Sequence, residues 1–183
     1  MNTKNYEKFY NEIVSCIPKQ RVITDPLLTL AYGTDASFYR LIPEIVIKVA
    51  NENEVSSVIK VASELKIPLT FRAAGTSLSG QAITNSVLVV TDNSWNKVSV
   101  SDSGEKITLQ PSVIGSHANA RLNPFHKKLG PDPASINSCK IAGIAANNAS
   151  GMTSGTKFNI YNTLLQLNIF KVCERAGEEA DKH

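Results

Sequence analysis

The chain has 183 residues, enough for one domain or two small lobes with a buried core. Apolar residues make up 42% and charged residues 19%, with no low-complexity tract, which excludes the disordered and fibrous classes. The formal charge is only +3, and its 19 basic residues are scattered among 16 acidic ones, so nucleic acid is not the expected partner.

Tyr6, Phe9, Tyr10, Ile13, Val14 and Ile17 recur at three- and four-residue steps and predict an amphipathic helix that stops at Pro18. Asp25 as cap, Pro26 in the first turn and Gly33 as a stop predict a short helix over 25–32. The apolar run Ile45-Val46-Ile47 with Val49 predicts a buried strand. A helix capped by Asn53, with Val55, Val58, Ile59, Ala62 and Leu65 as its buried stripe, follows, and a second strand over 69–72 completes a βαβ unit.

Further strands are expected at 87–90, 97–100 and 106–110, the last two joined across Asp102-Ser103-Gly104 as a hairpin. Pro124 would break a helix carrying Leu122, Phe125 and Leu129, so a new helix is expected from Asn123 as cap to Gly130. Residues 131–156 are dense in Gly, Ala, Asn, Ser and Pro, which do not build an ordinary core. Leu165, Leu167 and Ile169 alternate with polar neighbours as a half-buried strand does. The division expected is an N-terminal helix over 1–18, a first α+β lobe over 19–95, the start of a second lobe over 96–172 and a charged tail over 173–183.

Residues 1–10 lack the basic start and apolar run of a secretory signal, and no apolar stretch approaches the ~20 residues that span a bilayer. A cytoplasmic protein without a transmembrane segment is expected. Cys16, Cys139 and Cys173 are odd in number and far apart, without a CxxC pair, and read as reduced thiols, not as a disulfide framework or a metal site. His117 and His126 have no carboxylate or cysteine at ligand spacing and read as surface residues.

Chemistry concentrates in residues 72–81, Arg-Ala-Ala-Gly-Thr-Ser-Leu-Ser-Gly-Gln, directly after a predicted strand. Gly75 and Gly80 allow close approach of backbone to ligand, successive N–H groups can converge on an anion, and Thr76, Ser77 and Ser79 add hydroxyl donors. A pyrophosphate suits such a loop. Gly75 and Gly80 have the spacing of the P-loop of nucleotide hydrolases, but Gln81 and Ala82 replace its lysine and its serine or threonine; the GxGxxG of dinucleotide-binding folds is absent. A second small-residue segment, Gly130-Pro131-Asp132-Pro133-Ala134-Ser135, continues through 140–151, so an extended ligand gripped from two sides is expected.

With these two segments, and over roughly residues 18–167, the sequence resembles the flavoproteins of the vanillyl-alcohol oxidase type, within them the D-lactate dehydrogenase and glycolate oxidase branch. The resemblance implies an α+β, two-lobed FAD-binding domain with the second lobe incomplete. It makes Ala73, Ala74, Gly75, Thr76, Ser77 and Leu78 the cradle for the FAD pyrophosphate, with Gln81 nearby. Pro131, Asp132 and Ser135 would face the ribityl and flavin portion, and Gly143, Asn147, Ser150 and Gly151 the other wall. Some relatives tether the flavin through a histidine at the position of Thr76, so FAD is expected to be held without a covalent bond here. Lys140-Ile141-Ala142-Gly143 departs from the usual Thr-Ile-Gly-Gly and puts a charged side chain near that wall.

The function implied is the FAD-binding portion of a flavin-dependent 2-hydroxy-acid dehydrogenase or oxidase acting on D-lactate- or glycolate-like acids. No catalytic residue is assigned in this stretch. Two alternatives stay open: a non-catalytic truncated fragment that keeps the fold, and a subunit completed by a second polypeptide or by a homo-oligomer covering the incomplete lobe. An exposed apolar patch over 164–170 would favour the latter.

Overall fold

A computed structural model describes residues 3–152, 154–155 and 157–168. They divide into two compact units, the first containing described residues 3–71, 77–90 and 166–168, the second 72–76 and 91–165.

The first unit opens with α1 (Thr3–Cys16), whose Phe9 and Ile13, with Ile17 just beyond, lie one turn apart and are fully buried. After a 3₁₀ turn over Lys19–Arg21, β1 (Val22–Ile23) pairs antiparallel with β2 (Ile45–Val49), setting Val22 opposite Ile47. Between them α2 (Pro26–Ala31) begins at Asp25, whose carboxylate accepts the Leu27 and Leu28 N–H groups, both at 3.0 Å. The remaining elements of this sheet and its helix are α3 (Glu52–Leu65), β3 (Leu69–Arg72) and β4 (Val87–Thr91).

The strand order is β1-β2-β4-β3, so β4 is inserted between the two strands of the expected βαβ unit. Burial explains the choice. Val87, Leu88 and Val89 are inaccessible to solvent, and a strand that apolar on both faces belongs in the interior of the sheet. At the starting edge, Glu44 N–H donates to the Ser86 carbonyl at 2.9 Å and Val87 N–H to the Pro68 carbonyl at 3.4 Å, so β2, β4 and β3 begin side by side.

The cap of α3 is Asn51, not Asn53, which sits inside the first turn. Asn51 Oδ1 accepts the Glu54 N–H at 3.0 Å, and the Glu54 carboxylate reaches back to the Ala50 N–H at 2.8 Å, a reciprocal closure available only to residues three apart. Glu54 also holds the Arg21 guanidinium through two bonds of 2.6 and 2.7 Å, and Arg21 donates again to the Lys48 carbonyl at 3.1 Å. Burial alone would raise the Glu54 pKa, but the guanidinium and the Ala50 N–H outweigh it and hold the carboxyl below its ordinary range.

In the second unit β5 (Val98–Val100) and β6 (Ile107–Leu109) form the expected antiparallel hairpin, with Val98 opposite Leu109. Two helices not expected from the sequence follow, α4 (Gly115–Leu122) and α5 (Ile141–Ala146), and then a one-turn helix, α6 (Ile160–Thr163). Cys139, Ile144 and Ile160 form a small buried cluster, flanked by Ile136, Ile141, Ala145 and Ala149. The segment of small residues therefore does hold a core, because alanines let helix α5 pack closely.

Two further expectations are corrected. The helix from Asn123 to Gly130 is a single 3₁₀ turn, Asn123–Phe125, without a side-chain cap; it closes at His126, whose φ of 55° ends any helix. Residues 164–168 form no strand: nothing pairs with them among the described residues, and isolated alternation does not supply ladder partners. Leu165 and Leu167 are instead exposed, and Ile169 lies outside the described residues. No helix among the described residues is long and apolar enough to cross a membrane.

Candidate cofactor-binding site

Strand β3 delivers the chain to the loop at Arg72, which is 7% exposed. A buried guanidinium at the first position of the small-residue loop contributes positive charge, a role the sequence did not assign to Arg72 although the loop was counted from it. Gly75 follows with φ of +71°, a conformation that side chains other than glycine adopt only with strain. Ala73, Ala74, Gly75 and Thr76 belong to the second unit, together with Pro131, Asp132, Ser135, Gly143, Asn147, Ser150 and Gly151; Ser77, Leu78 and Gln81 belong to the first.

Within the second unit the structure brings two pairs of segments together. A Cβ placed on Gly143 would stand 3.4 Å from the Ala73 Cβ, so the start of the loop lies against helix α5. Asp132 N–H donates to the Ser150 carbonyl at 2.5 Å, and Gly151, at φ +104°, runs so close to Asp132 that a methyl group there would overlap the Asp132 carbonyl oxygen. Those contacts close residues 131–133 on 150–151. Pro131 is fully buried beneath them.

Other assigned side chains are turned to local partners. Asp132 meets the Lys128 ammonium at 3.3 Å. The Ser135 carbonyl accepts the Cys139 N–H at 2.7 Å and shapes the turn that leads to α5. Burial pushes the Cys139 thiol up from its ordinary pKa, against the opposing hydrogen bond of Ser135, so this thiol is a packing group and not a nucleophile. Asn147 ends α5 and is exposed.

In the first unit the Ser77 hydroxyl donates to the Gln81 side-chain carbonyl, and Ser79 N–H to Ser77 Oγ at 3.3 Å. Leu78 is 75% exposed. Tyr39, which sequence reasoning did not single out, packs where a Cβ on Gly80 would stand, 2.8 Å from its ring.

Lys140 is also placed otherwise than its charge implies. The ammonium is buried and donates to the Thr91 carbonyl at 2.7 Å and the Thr91 hydroxyl at 3.3 Å, inside the second unit. His117 and His126 are both exposed.

The chemistry of residues 72–81 suits a diphosphate: small residues at Ala73, Ala74 and Gly75, hydroxyls at Thr76, Ser77 and Ser79, the Arg72 guanidinium and no carboxylate.

The fold recurs in solved structures of larger proteins. An alkyldihydroxyacetonephosphate synthase superposes with a TM-score of 0.75 at 18% identity, over 86% of this chain and 32% of that one. The 4-ethylphenol oxidase of Gulosibacter chungangensis gives 0.65 at 16% identity, over 82% and 30%. The family model described as "FAD binding domain" matches residues 43–173, and the chain belongs to that family. Its cofactor is FAD. Among curated proteins the chain is 30% identical to glycolate oxidase subunit GlcD of Escherichia coli K12 over 118 residues, which are 63% of this chain and 24% of that protein. It is 23% identical to D-2-hydroxyglutarate dehydrogenase of Pseudomonas putida over 168 residues, 90% of this chain and 17% of that one. The chain thus spans about a quarter or less of these relatives' length.

Proposed function

We propose that the chain is the FAD-holding portion of a flavin-dependent dehydrogenase or oxidase of 2-hydroxy acids, of the D-lactate or glycolate kind. The observation that carries this reading is the seating of Ala73 against Gly143, in a chain matched by the FAD-binding family and similar to two hydroxy-acid enzymes. Ala73, Ala74, Gly75, Thr76, Ser77 and Leu78, with Gln81, would hold the pyrophosphate. Pro131, Asp132, Ser135, Gly143, Asn147, Ser150 and Gly151 would line the ribityl and ring portion. Bound FAD supplies the hydride acceptor, while the protein supplies grip and orientation. On this reading FAD is held without a covalent bond, and the protein works in the cytoplasm.

The test is the absorbance of the purified chain after incubation with FAD and desalting. A retained yellow cofactor that denaturation releases intact supports the reading. Gly75→Val, which forbids the left-handed turn and fills the cradle, should abolish retention. Equal retention by wild type and variant would overturn the loop assignment.

Exposure of Leu165 (77%) in the second unit, and of Leu167 (47%) in the first, favours a second reading beside this one, in which a further polypeptide or a second copy covers such side chains. Hydride transfer needs a substrate carbon held at about 3–3.5 Å in a site that excludes water. No group in this stretch is assigned to clamp a carboxylate for that purpose, so the 183-residue chain alone should not reduce dyes with D-lactate or glycolate. Turnover on the order of 1 s⁻¹ in excess FAD would show a substrate site within it.

A further inference from the structure

Two loops of the first unit lie against each other, and each leads into one of two neighbouring strands. Residues 33–41 run toward β2 and residues 77–81 toward β4, and β2 and β4 are adjacent in the sheet. The first loop is closed on itself. Thr34 and Arg40 form an antiparallel bridge, and Leu41 N–H donates to the Gly33 carbonyl at 3.0 Å. Inside that closure Asp35 Oδ1 accepts the Ser37 N–H at 2.8 Å, and Ser37 Oγ accepts the Tyr39 N–H at 3.2 Å, so the backbone that carries Tyr39 is fixed.

The second loop has less order of its own. The Ser77 hydroxyl donates to the Gln81 side chain and Ser79 N–H to Ser77 Oγ, bonds that stay within the loop. Gly80 takes φ of +71°. A Cβ on Gly80 would stand 2.8 Å from the Tyr39 ring and 3.5 Å from the Ser37 hydroxyl, so the first loop occupies the place of the side chain that Gly80 lacks. An aromatic ring offers a broad rigid face and loses little freedom when it packs, which suits it to brace bare backbone. Tyr39 is nevertheless 61% exposed, so its contact with Gly80 is not part of the core of the unit.

We infer, on the flavin reading of residues 77–81, that Tyr39 is a positioning residue for the cofactor grip. Its ring braces Gly80 and holds this part of the loop in the binding conformation before FAD arrives. A loop of glycine and serine left free would have to be ordered by the ligand, and the ordering would weaken affinity.

Two measurements on the full chain test this: amide hydrogen exchange without FAD, and FAD affinity from quenching of flavin fluorescence. Tyr39→Ala should speed exchange in peptides spanning 77–81 about tenfold, with β2 and α1 still protected and the urea midpoint unchanged. It should weaken FAD binding about tenfold, as loss of preorganisation does. Tyr39→Phe, which keeps the ring, should restore both. Unchanged exchange at 77–81 in Tyr39→Ala, or faster exchange throughout the first unit, would overturn the inference. Faster exchange at 77–81 with FAD affinity unchanged would overturn it as well, since the brace would then serve no grip. If Tyr39→Ala binds FAD as the wild type does while Gly75→Val fails to bind, the positioning role falls and the flavin reading stands. If Gly75→Val also binds FAD as the wild type does, the flavin reading of the loop falls and takes the positioning role with it.

Discussion

The two units reach stability by different means. In the first, Phe9, Ile13, Ile17, Val46, Ile47, Val58 and the β4 triplet Val87-Leu88-Val89 interlock as large side chains with almost no exposure. In the second, the buried groups are fewer and smaller, and the closest approaches are of backbone on backbone, as at Asp132 with Gly151, or of small side chain on small residue, as at Ala73 with Gly143. The proposed cofactor role would account for that contrast: a segment that brings N–H groups up to a ligand cannot fill the same space with isoleucine. The price is a lobe whose tolerance is set by glycine positions and not by apolar volume. All the assigned cofactor positions except Ser77, Leu78 and Gln81 lie in that second unit.

The largest effect expected from breaking the contrast is in the first unit. Phe9→Ala leaves a cavity on α1's buried face and should cost about 3–5 kcal/mol in denaturant unfolding. Next comes Gly151→Ala in the second unit. The added methyl group meets the Asp132 carbonyl oxygen, and φ of +104° is strained for any L residue, so a loss of roughly 2–3 kcal/mol is expected. Here the two units should part. Phe9→Ala should lower stability while FAD affinity of the folded fraction stays the same; Gly151→Ala should lower FAD affinity even in the folded fraction. Identical losses of FAD affinity in both variants would show that the contrast is not functional.

The sequence made the first unit legible because its signals are apolar and periodic. The Phe9–Ile13–Ile17 spacing, the Asp25-Pro26 start and the Ile45–Val49 run each name an element by side-chain burial, and each formed. The position of β4 between β2 and β3 was not legible, since adjacency is decided by which strand has two apolar faces to cover, a property of the assembled sheet. In the second unit the motifs were readable and the elements were not. The glycines and alanines of 131–151 announce close approach, but they carry no periodicity by which helix α5 could be seen. Leu165 and Leu167 carry the periodicity of a strand, yet without a paired neighbour the backbone gains nothing from extending as one. The seating of Ala73 on Gly143 and of Asp132 on Gly151 was legible neither in a local pattern nor in the family resemblance, which named these residues only as walls of a cofactor site.

Glu54→Gln tests the polar side of the first unit. It leaves the Arg21 guanidinium half-buried with a neutral partner and should cost about 2 kcal/mol at pH 7. The Glu54 carboxyl is held below its ordinary pKa of 4.5 in the folded chain, so its contribution is complete above that value and is lost as pH falls through the lowered one. The gap between wild type and variant, measured by urea unfolding, should therefore be constant from pH 7 to about pH 5 and close as the pH drops further. A gap that widened with acid would mean that the carboxyl is raised by its burial instead.

A smaller effect is expected between thiols, and it sharpens the contrast at the level of one group. With Cys173 replaced by Ser, an alkylating reagent near pH 8 should modify Cys16, which is exposed on α1, and spare Cys139, whose thiol is buried and pushed up in pKa. Equal labelling under native conditions would show that the second unit opens readily, and its small core would then be weaker than its packing indicates.

The smallest change should move stability in the opposite direction. Helix α3 ends at Lys66, which takes φ of 54° and ψ of 44° so that the Ile67 N–H can return to the Ala62 carbonyl at 2.8 Å. A left-handed conformation costs a residue with a Cβ about 1–2 kcal/mol, and glycine escapes that cost. Glycine in turn gives the unfolded chain more freedom, which returns roughly 0.5–1 kcal/mol of the gain. Lys66→Gly should therefore stabilise the first unit by about 0.5 kcal/mol, read as a higher urea midpoint at unchanged slope. FAD affinity should not move, because the substitution touches neither loop. A fall in stability would mean that the Lys66 side chain makes a contribution larger than its strain, and the first unit would then depend on its surface more than its core suggests.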